Sequence, residues 1–186
     1  MPARRRHLPI VNTICNTTRA LREMYEPIRQ RIDTIIPLNR LLGIEIVSIG
    51  DGVAQARLPF RTEVTNHLGF VHATATFGIA EAASGCAVAG MLAAQITKIR
   101  PVASAGSVHF HKVTRSSLLA IARVVESPEA LRERLVRSGT VELDVSVTVR
   151  DESDLDIASI VVTWHISRRN QPAALARTVT GGRSVA

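Results

Sequence analysis

Between Ala73 and Gln95 the chain carries one ionisable side chain besides Cys86, the carboxylate of Glu81. One helical turn away from it stand Phe77, Gly78, Ser84 and Gly85, which solvate charge poorly. Burial among them should raise its pKa and poise it as a base or nucleophile. Such a residue can equally be a carboxylate that pairs with an arginine or caps a strand edge. If a helix begins at Ala73, the amides of Ala73, Thr74 and Ala75 have no partner inside it and sit at the positive end of its dipole. They form a plausible cradle for an oxygen that gains negative charge in a transition state. Asn66 and His72 precede that start, and an asparagine amide donates and accepts at once. The structural alternative for Asn66 is support of a turn before Gly69. Ser84, one turn beyond Glu81, either bonds the carboxylate or attacking water or serves helix packing.

These groups need elements to position them. Ala73 to Gln95, dominated by Ala, Gly, Ser and Thr, is apolar all round and must be buried all round if helical. Its length approaches the roughly twenty residues of a membrane span, but a mid-span carboxylate is expensive in lipid, so no transmembrane segment is expected. Gly78, Gly85 and Gly90 instead suggest other backbone lying close. Upstream, Thr17 to Ile36 repeats Leu21, Met24, Ile28, Ile32 and Ile35 at helical spacing, with Pro27 as a kink. Leu41 to Ile49 and Val53 to Phe60 read as a hairpin about Gly50-Asp51-Gly52, whose glycines permit positive φ. Downstream, Val141 to Arg150 alternates apolar and polar without a break. Leu155 to Ser167 returns as its partner, and Ser107 to Val113 and Ser117 to Glu126 are further strands. Pro128 opens a short exposed helix to Arg137.

At 186 residues the chain suits one domain with short extensions. The net charge of +7 lies at the ends: residues 1–37 and 168–186 each carry +4, and the segment between carries −1. A neutral body argues against a nucleic-acid surface, and the Arg4-Arg5-Arg6-His7 run reads as a solvated arm. Two cysteines, Cys15 and Cys86, make neither a disulfide framework nor a zinc site. With no secretory h-region, a reducing cytoplasm is expected. The expected domains are a flexible basic arm at 1–16, a single folded domain at 17–168 with its central helix at about 73–95, and a disordered tail at 169–186.

One buried helix and six strands imply an α+β fold in which an antiparallel sheet of about five or six strands curls round the helix. The run from Asn66 through His72 and Ala73 to Glu81 resembles the segment entering the central helix of hotdog-fold acyl-CoA thioesterases of the phenylacetyl-CoA thioesterase-like (PaaI-like) branch. There an Asn, six residues on a His or aromatic, and nine later an Asp or Glu recur. The resemblance spans roughly Pro37 to Arg168 and implies a hotdog domain with an N-terminal helix, an acyl-CoA substrate and no cofactor. It assigns catalysis to Glu81, the oxyanion donor to Ala73 and orientation of the carboxylate or water to Asn66; the Thr74 amide joins Ala73 as a donor on the reading of the helix start. His72 would order the loop. Gly69, Lys112 and Arg115 are the candidate contacts to substrate and coenzyme A phosphates, although surface charge at a strand end also explains the last two.

Nine residues set His72 and Glu81 on opposite sides of a helix and roughly 13 Å apart along it. The inference is a composite site across a two-fold axis, as in the related homodimers, with a dimer of dimers also open. The chain departs from the pattern at Ala73-Thr74-Ala75, where many relatives carry glycine. That turn favours a rival, a non-catalytic acyl-CoA-binding or sensing protein. A metal enzyme built on His109, His111 and His165 lacks accompanying acids or cysteines. Dehydratases of the fold and its DNA-linked regulators lack their signatures here.

Overall fold

The computed structural model describes residues 19–169; the basic arm at 1–16 and all but the first residue of the tail lie outside them. In chain order the elements are α1 (Arg19–Ile35), α2 (Pro37–Leu42), β1 (Glu45–Gly50), β2 (Val53–Leu58), α3 (Ala73–Met91), β3 (Ile99–Phe110), β4 (Leu118–Val124), α4 (Pro128–Ser138), β5 (Thr140–Asp151) and β6 (Asp156–Arg168). The strands form one antiparallel sheet in the order β1-β2-β4-β5-β6-β3. α3 touches all six of them, so the sheet wraps the helix in the hotdog arrangement.

The alternation of β5 is realised residue by residue: Val141, Leu143, Val145, Val147 and Val149 are buried, and Glu142, Asp144 and Ser146 are exposed. Its partner β6 buries Ile160, Val162, Trp164 and Ile166 opposite. α3 itself is buried from Ala75 onward except along one stripe. Small residues let it sit deep. The carbonyl oxygen of Gly50 is 2.0 Å from where a Cβ on Gly90 would stand, so β1 runs against helix backbone there. Gly50 thus serves close approach, and only Gly52 (φ +71°) supplies the positive φ of the hairpin.

Several boundaries, and the buried row of α1, differ from expectation. The central helix ends at Met91, and Ala93–Lys98 continues as a 3-10 segment. Leu41 belongs to α2, not to a strand, because Pro37 starts a helical turn that Gly43 closes at φ +69°. β3 begins at Ile99, eight residues before Ser107, held by its register with β6 despite Pro101 and a run of small residues. On α1 the buried row is Tyr25 and Ile32 with Ile28 half-buried, while Met24 and Ile35 face outward. Beside that row Arg29 bonds Glu26 and reaches the Ile46 carbonyl of β1.

α4 closes one end of the sheet. Leu131 and Leu135 are fully buried, Ser127 caps its start, and Arg132 binds Asp51 in the hairpin at 2.8 Å and the Met91 carbonyl at 2.9 Å. A cation on that last carbonyl complements the negative end of the α3 dipole.

Candidate active site

The start of α3 is fixed by His72, whose backbone is extended (φ −68°, ψ 139°). Its ring Nδ1 accepts the Thr74 amide at 3.0 Å, and its carbonyl accepts the Thr76 amide at 3.0 Å. The imidazole therefore caps the helix and takes the Thr74 amide out of the expected oxyanion pair. The amides of Ala73 and Ala75 make no hydrogen bond among the described residues, and Ala73 is exposed.

Before it, the loop 66–72 is organised by Asn66. Its Oδ1 accepts the amides of Leu68 (2.9 Å) and Phe70 (3.2 Å), and its backbone bonds Phe70 and Gly69. This is the turn-supporting role; its amide nitrogen makes no bond among the described residues. Gly69 takes φ +75°, a conformation costly for other residues. Arg115 clamps the loop, donating to the carbonyls of Leu68 (3.0 Å) and Gly69 (3.3 Å) with its guanidinium 4.3 Å from the Phe70 ring centre. Its fork thus holds the loop, while the residue stays exposed. Lys112 is exposed beyond the end of β3.

Thr74, Phe77, Gly78, Glu81 and Gly85, spaced three or four apart, form the one stripe of α3 past its first residue that is not fully buried. Leu42 of α2 lies 2.9 Å from where a Cβ on Gly78 would stand, the Phe77 ring 3.1 Å from where one on Gly106 of β3 would stand, and the Trp164 ring 3.2 Å from where one on Gly85 would stand. Glu81 shares this stripe, and burial raises its carboxyl above the usual range. Its carboxylate has no hydrogen bond or ion pair among the described residues, and no charged neighbour contributes to the shift. That is the environment expected of a working base.

Ser84 does not reach that carboxylate. Its hydroxyl donates to the Glu81 backbone carbonyl at 2.7 Å and accepts the Trp164 indole N–H at 3.0 Å, so it joins β6 to α3. Trp164 was the partner sequence reasoning missed; its place in the inward row of β6 was the available signal, but not its target eighty residues away. Two open surface depressions, lined by Arg132, Glu133, Val136 and Arg137 and by Phe110, His111, Lys112 and Val113, include neither Glu81, Asn66 nor His72.

His109 and His111 stand with ring centres 4.9 Å apart, and His111 bonds Ser159 at 2.8 Å. Among the described residues no three His, Cys, Asp or Glu side chains gather to hold a metal, and no helix is long and apolar enough to cross a membrane. Cys86 is buried in the core.

With this geometry in hand, three solved structures are informative. The conserved protein PA5202 from Pseudomonas aeruginosa is 24% identical, with a TM-score of 0.61 over 74% of this chain and 98% of its own. PA5026 from the same organism, described as a probable thioesterase, is 19% identical with a TM-score of 0.65, over 77% and 95%. The PaaI protein of the E. coli phenylacetic acid degradation operon is 18% identical with a TM-score of 0.59, over 78% and 94%. At these identities the likeness establishes the fold. No curated protein matches the chain. The model of a family described as a domain of unknown function, DUF4442, matches residues 28–166.

Proposed function

The chain belongs to the DUF4442 family, built here on the hotdog fold, and from that premise we propose that it is a thioesterase hydrolysing an acyl-CoA, with Glu81 as its catalytic carboxylate. The observation that carries this reading is Glu81 itself: an acid raised by burial, without a partner among the described residues, on the open stripe of a buried helix. A carboxylate that stabilised the fold would have a cation or donor beside it. Neighbours of the same fold described as thioesterases add support, among them the probable thioesterase PA5026 and the thioesterase HI1161 of Haemophilus influenzae.

In the proposed mechanism the thioester carbonyl rests on the Ala73 amide at the start of α3, where the dipole favours developing negative charge. Glu81 of a second subunit attacks the carbonyl carbon or takes a proton from the water that does. Two subunits enter the proposal because the Ala73 amide and Glu81, eight residues apart, lie roughly 12 Å apart along one helix. Their meeting surface includes β3, an edge strand whose residues Ala103 to Ser107 are exposed and whose free backbone groups offer pairing to another strand. The remaining amide of Asn66 orients the carboxylate or water. Lys112 is left as the cation toward coenzyme A phosphates, and a reducing cytoplasm is the proposed location.

The test is hydrolysis of short, medium, long and aryl acyl-CoA, followed with a thiol reagent, by the parent and Glu81→Gln. The expected result is turnover lost on substitution by at least about 100-fold, the scale of general acid–base catalysis. A folded Glu81→Gln chain with parent rates removes Glu81 from the mechanism. The second reading, a non-catalytic acyl-CoA-binding protein, is favoured by the Thr74 amide being tied to His72. Thermal stabilisation by acyl-CoA without hydrolysis in the parent selects it.

A further inference from the structure

Phe110, His111, Lys112 and Val113, at the end of β3 and just past it, line an open depression of about 530 Å³. By register Phe110 stands opposite the buried Ala158 and so lies on the α3 side of the sheet. β3 is an edge strand, and the ring stays 49% exposed. A single exposed phenylalanine needs no explanation. This one shares its depression with a cation that has no partner: the Lys112 side chain makes no hydrogen bond or ion pair among the described residues. The Lys112 amide bonds the Ile157 carbonyl, and the neighbouring acid, Asp156, is already held by Arg150 at 2.8 Å. No acid lines the depression, and the His111 ring is fixed by the Ser159 hydroxyl at 2.8 Å.

Two contacts place this depression relative to α3. The Val71 amide donates to the Thr114 carbonyl at 3.0 Å, so the residue after Val113 is tied to the chain two residues before Ala73. The Phe77 ring lies against Gly106, which shares the α3 side of β3 with Phe110. The depression therefore adjoins the start of α3, the place proposed for the thioester carbonyl. Its chemistry limits what it can take. An acyl chain calls for an enclosed apolar site, which an open surface bordered by a lysine does not offer. A heteroaromatic base stacks on an exposed ring, and a phosphate beside that base meets the lysine.

We propose that this depression is the subsite for the nucleotide end of the coenzyme A carrier, with adenine stacked on Phe110 and a phosphate on Lys112. The rest of the carrier then leads from the end of β3 to the Ala73 amide. Assignment to the carrier rests on the thioesterase reading; a free adenine nucleotide has the same chemistry, and the experiment separates the two sources.

The probe is adenosine 3′,5′-bisphosphate, which has base and phosphates but no thioester, titrated calorimetrically into the full chain beside adenosine monophosphate. The expected result is saturable binding of the bisphosphate that coenzyme A displaces. Phe110→Ala should weaken it about tenfold and Lys112→Gln about threefold, with less salt dependence left in the latter. The KM for acyl-CoA should rise in both variants. A parent that does not bind the probe, or binding untouched by both substitutions, overturns the subsite. Monophosphate bound as tightly as the bisphosphate and not displaced by coenzyme A overturns the assignment to the carrier. Loss of the dimer in Phe110→Ala, with probe affinity intact in Lys112→Gln, makes the ring a subunit contact and overturns the subsite. Probe binding displaced by coenzyme A in a parent that hydrolyses no acyl-CoA keeps the subsite and refutes the thioesterase; hydrolysis without probe binding does the reverse.

Discussion

Replacing Gly90 by alanine should destabilise the protein strongly, against the usual direction for a helix interior. Gly→Ala within a helix ordinarily gains about 1 kcal/mol. Here the new methyl would stand 2.0 Å from the Gly50 carbonyl oxygen, 2.7 Å from Ile49 Cγ2 and 3.1 Å from the Gly50 carbonyl carbon. Ordinary contact begins near 3.4 Å, so the end of β1 must withdraw by more than an ångström or α3 must rise from its seat. The obstruction is backbone already committed to the β1–β2 ladder, which cannot swing aside as a side chain can. Overpacking of this kind costs up to about 3 kcal/mol or more, leaving a net loss of roughly 2 kcal/mol after the propensity gain. Urea unfolding followed by far-ultraviolet circular dichroism, at equal protein concentration, gives the difference directly. Gly78→Ala is the control, because there the obstacle at 2.9 Å is Leu42 Cδ1, the far end of a flexible side chain; its net effect should stay within about 1 kcal/mol. A Gly90→Ala chain as stable as the parent would refute the close seating of α3 on β1.

Further expectations concern the site. Because burial raises the folded pKa of Glu81, its contribution to stability is complete below about pH 4.5 and is lost as pH rises through the raised value. Glu81→Gln should therefore match the parent in stability near pH 4 and exceed it at pH 8; equal stabilities at pH 8 would contradict the burial. Ser84→Ala leaves the Trp164 indole N–H without its acceptor and should cost about 1–3 kcal/mol. Hydrolysis by the folded variant should persist; abolished turnover at parent stability would return Ser84 to the chemistry. Arg115→Met removes two bonds to the 66–72 loop and should speed amide exchange at Leu68 and Phe70, with less than about 1 kcal/mol lost overall. Unchanged exchange would show that Asn66 orders the loop alone.

Much of this was legible in the chain, for definite reasons. α3 announced itself because a run of small apolar residues with a single acid has one stable place in a soluble fold, inside the sheet. β5 did so because its alternation is unbroken. β3 from Ile99 to Gly106 was not, since Pro101 and the Ala-Ser-Ala-Gly stretch carry little strand propensity, and its pairing with β6, some sixty residues on, makes it a strand. The site divides likewise. The burial of Glu81 followed from its neighbours along the helix. The commitments of Ser84 to Trp164 and of Arg115 to the Leu68 and Gly69 carbonyls did not, because each partner is contributed by a segment more than forty residues distant.

The Trp164 indole lies against Gly85, one turn from Glu81, and spends its N–H on Ser84. It is the only tryptophan in the chain, so the molecule carries a built-in optical reporter whose emission comes from a single dry environment beside the open stripe. A quencher in solution reaches that ring poorly while it is 7% exposed, whereas any molecule seated along Gly85 changes its surroundings at once. Occupancy of the stripe can thus be read as a colour shift in the unlabelled protein, before any product is formed.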